Sequence, residues 1–133
     1  MASTPVSMIM STLELATVDR AQPFRDVWEL LRRGRVQHVP VLDGETLVGI
    51  VSSWDLARLA MGRDQPELLR TPIEQVMERN LVTLGPRDTV RRAAELLSEG
   101  AFHSLPVVDE DGRLVGIVTT SDVLRCVLEP GAR

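Results

Sequence analysis

Lysine is missing from the 133 residues, and all 15 basic side chains are arginine. That excludes a phosphate-loop lysine and a lysine Schiff base, and with them several enzyme classes. Tyrosine is absent too, and aromatics make up 3% of the chain, so Val, Leu and Ile must fill the core. The one cysteine, Cys126, cannot close a disulfide within the chain. No apolar run approaches the roughly 20 residues that cross a bilayer. The opening Met1-Ala-Ser-Thr-Pro-Val-Ser-Met-Ile-Met10 lacks the basic flank and sustained apolar stretch of a signal peptide. An excess of positive charge is lacking as well: the net charge is -4, which argues against a partner bound mainly through its phosphate backbone, since such binding rests on cationic patches. The expectation is a soluble, cytoplasmic protein with neither nucleic acid nor membrane as partner.

What is present is one unit written twice, and self-similarity of this kind decides the fold before any single element does. Val39-Pro-Val-Leu-Asp43 matches Leu105-Pro-Val-Val-Asp109 at an offset of 66, which also aligns Leu15 to Val18 with Leu81 to Leu84, and Gly34 with Gly100. Beyond the hairpin turn the offset becomes 67 and pairs Gly49, Ser52 and Asp55 with Gly116, Thr119 and Asp122. The repeats are read as 1–61 and 71–133, joined by a linker over 62–70 in which Gly62, Asp64 and Pro66 act as breakers. Leu81 to Leu84 reads as a strand closed by Gly85-Pro86. Asp88 then suits a helix N-cap, and Gly100 a left-handed stop. In the first copy Pro23 suits the first helical position, with Gly34 as the stop. Asp43-Gly44 and Glu110-Asp-Gly112 mark hairpins, and second helices begin near Ser53 and Thr120. The predicted fold is α/β (α+β), two β-α-β-β-α units. Each is too small to bury enough surface alone, so the two are expected to pack sheet to sheet about a pseudo-twofold axis.

Each repeat ends its last strand on a hydroxyl followed three residues later by an acid: Ser52 with Asp55, and Thr119 with Asp122. Such a pair makes a capping box, which satisfies the first amides of the helix and suits its dipole. The same junction can also hold a ligand. An ionised Asp only accepts hydrogen bonds, so it suits paired ribose hydroxyls and repels phosphate. Thr83 and the edge His103-Ser104-Leu105 then become the place for a base, its polar rim read by backbone groups and its faces covered by Leu105 and Val118. Both readings stand on the sequence.

The repeated Leu-Pro-Val-Val-Asp followed by Gly-Ile-Val-Thr-x-x-Asp resembles the cystathionine β-synthase (CBS) domain, which occurs in tandem pairs called Bateman modules. The resemblance runs from about Ile9 to Leu128. It implies a pseudo-symmetric pair with two clefts between the motifs, often binding AMP, ADP, ATP or S-adenosylmethionine as regulatory ligands rather than required cofactors. By the same resemblance the second site comprises Thr83, His103, Ser104, Leu105, Pro106, Val118, Thr119 and Asp122, with Asp122 on the ribose. The matching first set is Thr17, Gln37, His38, Val39, Pro40, Ser52 and Asp55. Trp54 beside Asp55 either stacks on a base or obstructs the cleft, so the second site is favoured. Arg35 is a candidate for phosphate.

Nothing in the sequence assembles a nucleophile, base and orienter, and His38, His103 and Cys126 lack short metal-ligand spacing, so neither catalysis nor a metal is expected. Cys126 reads as a core residue. Of Met8 and Met10 only Met10 has a counterpart, Met77, and the two are expected to pack between the copies. Helix faces containing Trp28 or Val123 suit the flat homodimers the family forms. The second repeat ends within a few residues of the chain's end, so regulation is expected to act on a separate, unknown protein partner. The alternative is a structural dimer with degenerate clefts.

Overall fold

The computed structural model describes residues 3–12, 16–34, 36–62, 65–100 and 102–128; Arg35, Leu15 and Asp64 lie outside them. The chain forms two compact packing units, one built from 16–81 and the other from the residues before and after that stretch. The partition crosses the sequence repeats: residues 3–12, which open the first repeat, fold with 82–128 of the second.

In the central unit, β1 (Val18–Asp19) runs parallel to β2 (His38–Asp43), and β2 pairs antiparallel with β3 (Thr46–Ser52). Helix α1 (Phe24–Arg32) starts after Pro23, one residue later than the sequence placed it, and ends before Gly34 at φ 73°. Its buried face is Phe24, Val27 and Leu31, an i, i+3, i+7 stripe. These side chains join Val39, Val41, Val51 and Ile73 in one core. Helix α2 (Ser53–Gly62) follows β3 without a loop. Within the stretch read as a linker, Gln65–Arg70 forms a helix, α3, that buries Leu68 and packs on α1. Pro66 does not break it because proline's missing N–H costs nothing in a first turn.

In the other unit, helix α4 (Val90–Ser98) precedes the hairpin of β4 (Ser104–Val108) and β5 (Leu114–Thr119), and α5 (Thr120–Leu128) closes it. Its core is Val6, Leu84, Ala93, Leu96, Leu105, Val107 and Val118. The strand expected at Leu81 to Leu84 reduces to one bridge, in which the Leu84 N–H donates to Pro106 O at 2.9 Å and Leu84 O accepts from Val108 N at 2.8 Å. The N-cap of α4 is Thr89 and not Asp88: Thr89 Oγ1 accepts from Arg92 N at 3.1 Å, while the Asp88 carboxylate turns back to the Gly85 N–H at 2.7 Å. Asp88 is thus consumed by the Gly85-Pro86 turn. Thr89→Ala should cost about 1 kcal/mol, read as a lower urea midpoint with an unchanged slope.

The bridges that tie each unit to its borrowed segment come in matching pairs. Ser11 bridges Ile117 and Ile50 bridges Glu78, while Pro5 bridges Thr89 and Pro23 bridges Pro72. Each repeat therefore lends its opening segment to the other repeat's sheet. Met10 and Met77 travel with those segments, and each lies against a strand glycine, Gly116 and Gly49 respectively.

Candidate functional site

The sequence-predicted residues fall into two sets, each contained in one packing unit. In the second set β5 passes directly into α5, so Thr119 caps the helix that holds Asp122 in its first turn. Asp122 Oδ2 accepts from Thr119 N at 2.9 Å and from Thr119 Oγ1 at 3.2 Å, and the Asp122 N–H donates to Thr119 Oγ1 at 3.4 Å. The first set repeats this arrangement. Asp55 Oδ2 accepts from Ser52 N at 3.0 Å and Ser52 Oγ at 3.1 Å, and Asp55 N donates to Ser52 Oγ at 3.2 Å. The capping-box reading is realised in both copies, and it leaves the other carboxylate oxygen, Oδ1, for a different partner.

That partner is an arginine one turn further on. Arg125 donates to Asp122 Oδ1 and Arg58 to Asp55 Oδ1. Sequence reasoning missed both, although the same Asp-x-x-Arg spacing in each copy was the signal for them. Each arginine is 63% exposed, whereas the Asp122 side chain is 3% exposed and that of Asp55 14%.

Strand register places the remaining residues. Ser104 lies opposite Thr119, Leu105 opposite Val118 and Pro106 opposite Ile117. In the first copy His38 faces Ser52, Val39 faces Val51 and Pro40 faces Ile50. Ser104 and Ser52 are buried polar residues at the strand ends beside the carboxylates. Leu105, Val118, Val39 and Pro40 are fully buried, and the side chains of Leu105 and Val118 belong to their unit's core, so they do not stand open to cover the faces of a base. His103 and Gln37 are exposed where the chain enters β4 and β2, and Gln37 O accepts from the Ser53 N–H at 2.9 Å. Thr83 and Thr17 are exposed on the flanks of β4 and β2 opposite β5 and β3, since Leu84 and Val18 pair there. At a strand spacing of about 4.8 Å they stand roughly two strands from the carboxylates, a span suited to a nucleoside rather than to one polar group.

Trp54, at the first turn of α2, is 69% exposed. Cys126 is buried. A separate apolar cavity of about 300 Å³ lies among α1, α2 and α3, lined by Phe24, Trp28, Leu56, Ala57, Ala60 and Leu68. Among the described residues no three His, Cys, Asp or Glu side chains come together to hold a metal, and no helix is long and apolar enough to cross a membrane.

Two sheets ending on the same hydroxyl–carboxylate–helix junction define a tandem module, and the family model for the CBS domain matches the chain twice, at residues 6–62 and 73–129. The chain belongs to the CBS domain family. It is similar to the CBS-pair protein CBSX2 of Arabidopsis thaliana, solved in complex with AMP, with a TM-score of 0.83 and 32% identity over 96% of this chain and 98% of that one. It also resembles the CBS domain pair of protein MJ0100, solved with 5'-methylthioadenosine and S-adenosyl-L-methionine, at TM-score 0.79 and 32% identity over 93% and 99% of the two chains. Homoserine O-acetyltransferase of Methanohalobium evestigatum is 30% identical over 131 residues, which are 97% of this chain and 25% of that protein. The chain spans about a quarter of the length of such curated relatives.

Proposed function

We infer that this CBS pair is a regulatory module that binds an adenosine-containing ligand, AMP, ADP, ATP or S-adenosylmethionine, and governs an activity carried elsewhere. The observation that carries the reading is the duplicated junction: a carboxylate fixed by its cap hydroxyl at the end of a sheet edge, with an exposed threonine two strands away. A carboxylate that can only accept suits vicinal ribose hydroxyls, and the Ser104 end of β4 offers its backbone to a purine, the Pro106 C=O being taken by the Leu84 N–H. Similar CBS pairs solved with AMP, 5'-methylthioadenosine and S-adenosyl-L-methionine support that ligand class. We assign the main site to Thr83, His103, Ser104, Leu105, Pro106, Val118, Thr119 and Asp122, and a second to Thr17, Gln37, His38, Val39, Pro40, Ser52 and Asp55. The module acts by binding and not by turnover, in the cytoplasm. Its effect rests on differential affinity, since a ligand moves a conformational equilibrium only by as much as it prefers one state.

One further feature supports association with a second copy. On α5, Leu124, Val127 and Leu128 are 52%, 48% and 75% exposed. They sit at i, i+3 and i+4 spacing, one apolar stripe suited to a homodimer contact or to a protein partner.

The test is a thermal-shift and calorimetric screen against AMP, ADP, ATP, 5'-methylthioadenosine and S-adenosylmethionine. A ligand at about a hundredfold its Kd should add roughly 2.7 kcal/mol and raise Tm by roughly 8 °C. No shift with any of them would leave a structural dimer with degenerate clefts as the better account.

A further inference from the structure

Resting on the adenosine-ligand reading above, we propose that Arg125 and Arg58 are latches on the ribose-binding carboxylates, which a ligand opens in order to bind. Three observations carry the proposal. First, Oδ2 of each aspartate is committed to the hydroxyl and N–H of its own cap, through Thr119 in one copy and Ser52 in the other. Those bonds lie inside the strand-to-helix turn and hold the start of the helix. The oxygen left for two ribose hydroxyls is Oδ1, and that atom already accepts from Arg125 or Arg58. Second, the Asp122 side chain is 3% exposed while Arg125, its Oδ1 partner, is 63% exposed. The carboxylate is closed off and its partner stands at the surface, free to swing without disturbing the core. Third, the arrangement is duplicated, with the same atoms paired at the same i, i+3 spacing in both copies.

The consequence follows from linkage. A contact made only before the ligand arrives subtracts from the ligand's affinity by what that contact contributes to the protein alone. Removing the arginine should therefore lower the stability of the protein alone and tighten ligand binding together. A helix-surface ion pair of no further consequence would lower stability and leave affinity unchanged. An arginine that positions the carboxylate, or touches the ligand, would weaken binding when removed.

The probe is adenosine, which carries ribose hydroxyls and no phosphate, so attraction between guanidinium and phosphate does not enter. Kd for adenosine is measured by calorimetry, and Tm without ligand by thermal melt, for the wild-type protein and for Arg125→Ala, Arg58→Ala and Arg125→Lys. With exposed ion pairs contributing about 0.2 to 1 kcal/mol, the variant at the occupied site should bind adenosine about 1.4- to fivefold more tightly and melt lower. Where that variant is Arg125→Ala, the lysine replacement should return affinity toward the wild-type value. Unchanged or weakened adenosine binding in both alanine variants, with wild-type binding intact, overturns the latch and leaves the adenosine reading standing. Failure of the wild-type protein to bind adenosine overturns the latch, and failure to bind any ligand of the screen above as well overturns both.

Discussion

Asp122→Ala should weaken an adenosine ligand at the second site by about 100-fold or more. Two ribose hydroxyls donating to a carboxylate make hydrogen bonds of about 1.5 kcal/mol or more each, and each 1.4 kcal/mol is about tenfold in Kd. The same substitution removes the acceptor for the N–H and hydroxyl of Thr119 and the partner of Arg125, so stability should fall by about 1 to 3 kcal/mol. Two effects from one atom set need separating. Asp122→Asn keeps an oxygen able to accept from Thr119, so most of the cap survives. It also loses the charge and presents an NH₂ that donates where the hydroxyls need an acceptor. The expected pattern is an alanine variant weak in both properties and an asparagine variant close to wild type in Tm yet impaired in binding. Calorimetric titration with AMP, run beside urea unfolding, reads both. Full-strength AMP binding by the alanine variant would mean that the carboxylate serves the helix alone.

Much of this junction was legible because it depends on local chemistry. The turn at Gly44, the stop at Gly100 and the helix starts at Ser53 and Thr120 are set by residues within a few positions of each other, and all are found where the sequence placed them. The misses have physical causes of three kinds. Asp88 lost the N-cap because Gly85 offered its carboxylate a competing N–H. Helix α3 is hidden in the sequence because Pro66 reads as a breaker, although proline is tolerated in a first turn. The exchange of opening segments left only the correspondence of Met10 with Met77 as a signal, since single bridges such as Ser11 with Ile117 have no periodicity to read. Of the site, the hydroxyl–acid pairs were visible from their three-residue spacing. Arg58 and Arg125 went unnoticed because an arginine on an exposed helix face is ordinary until its partner is known to be a buried carboxylate.

Gly49→Val should be among the most damaging single changes in the central unit, about 2 to 3 kcal/mol against the 5 to 15 kcal/mol that hold a typical domain. A Cβ at Gly49 would lie 2.3 Å from Met77 Sδ, 2.7 Å from Met77 Cγ and 3.2 Å from Glu78 O. The thioether can rotate away, but it is a buried member of the core and has little room. The backbone has less. Ile50 N donates to Glu78 O at 3.1 Å and Glu78 N to Ile50 O at 2.9 Å, which clamps the borrowed segment against β3. The clash is therefore relieved only by losing the bridge or repacking the core. Shortening the methionine tests this directly. Met77→Ala alone should cost about 2 kcal/mol or more through the cavity it leaves, but combined with Gly49→Val the new isopropyl group fills part of that space. The double variant should be more stable than the sum of the singles by about 1 kcal/mol or more, within the range seen for residues in contact. Urea unfolding of the four proteins closes the cycle. Additive costs would show that the glycine is not there to admit Met77. Coupling would show that the segments exchanged between repeats are held by a methionine seated on a strand that has no side chain, and the partner clash at Gly116, 2.4 Å from Met10 Sδ, should then couple in the same sense.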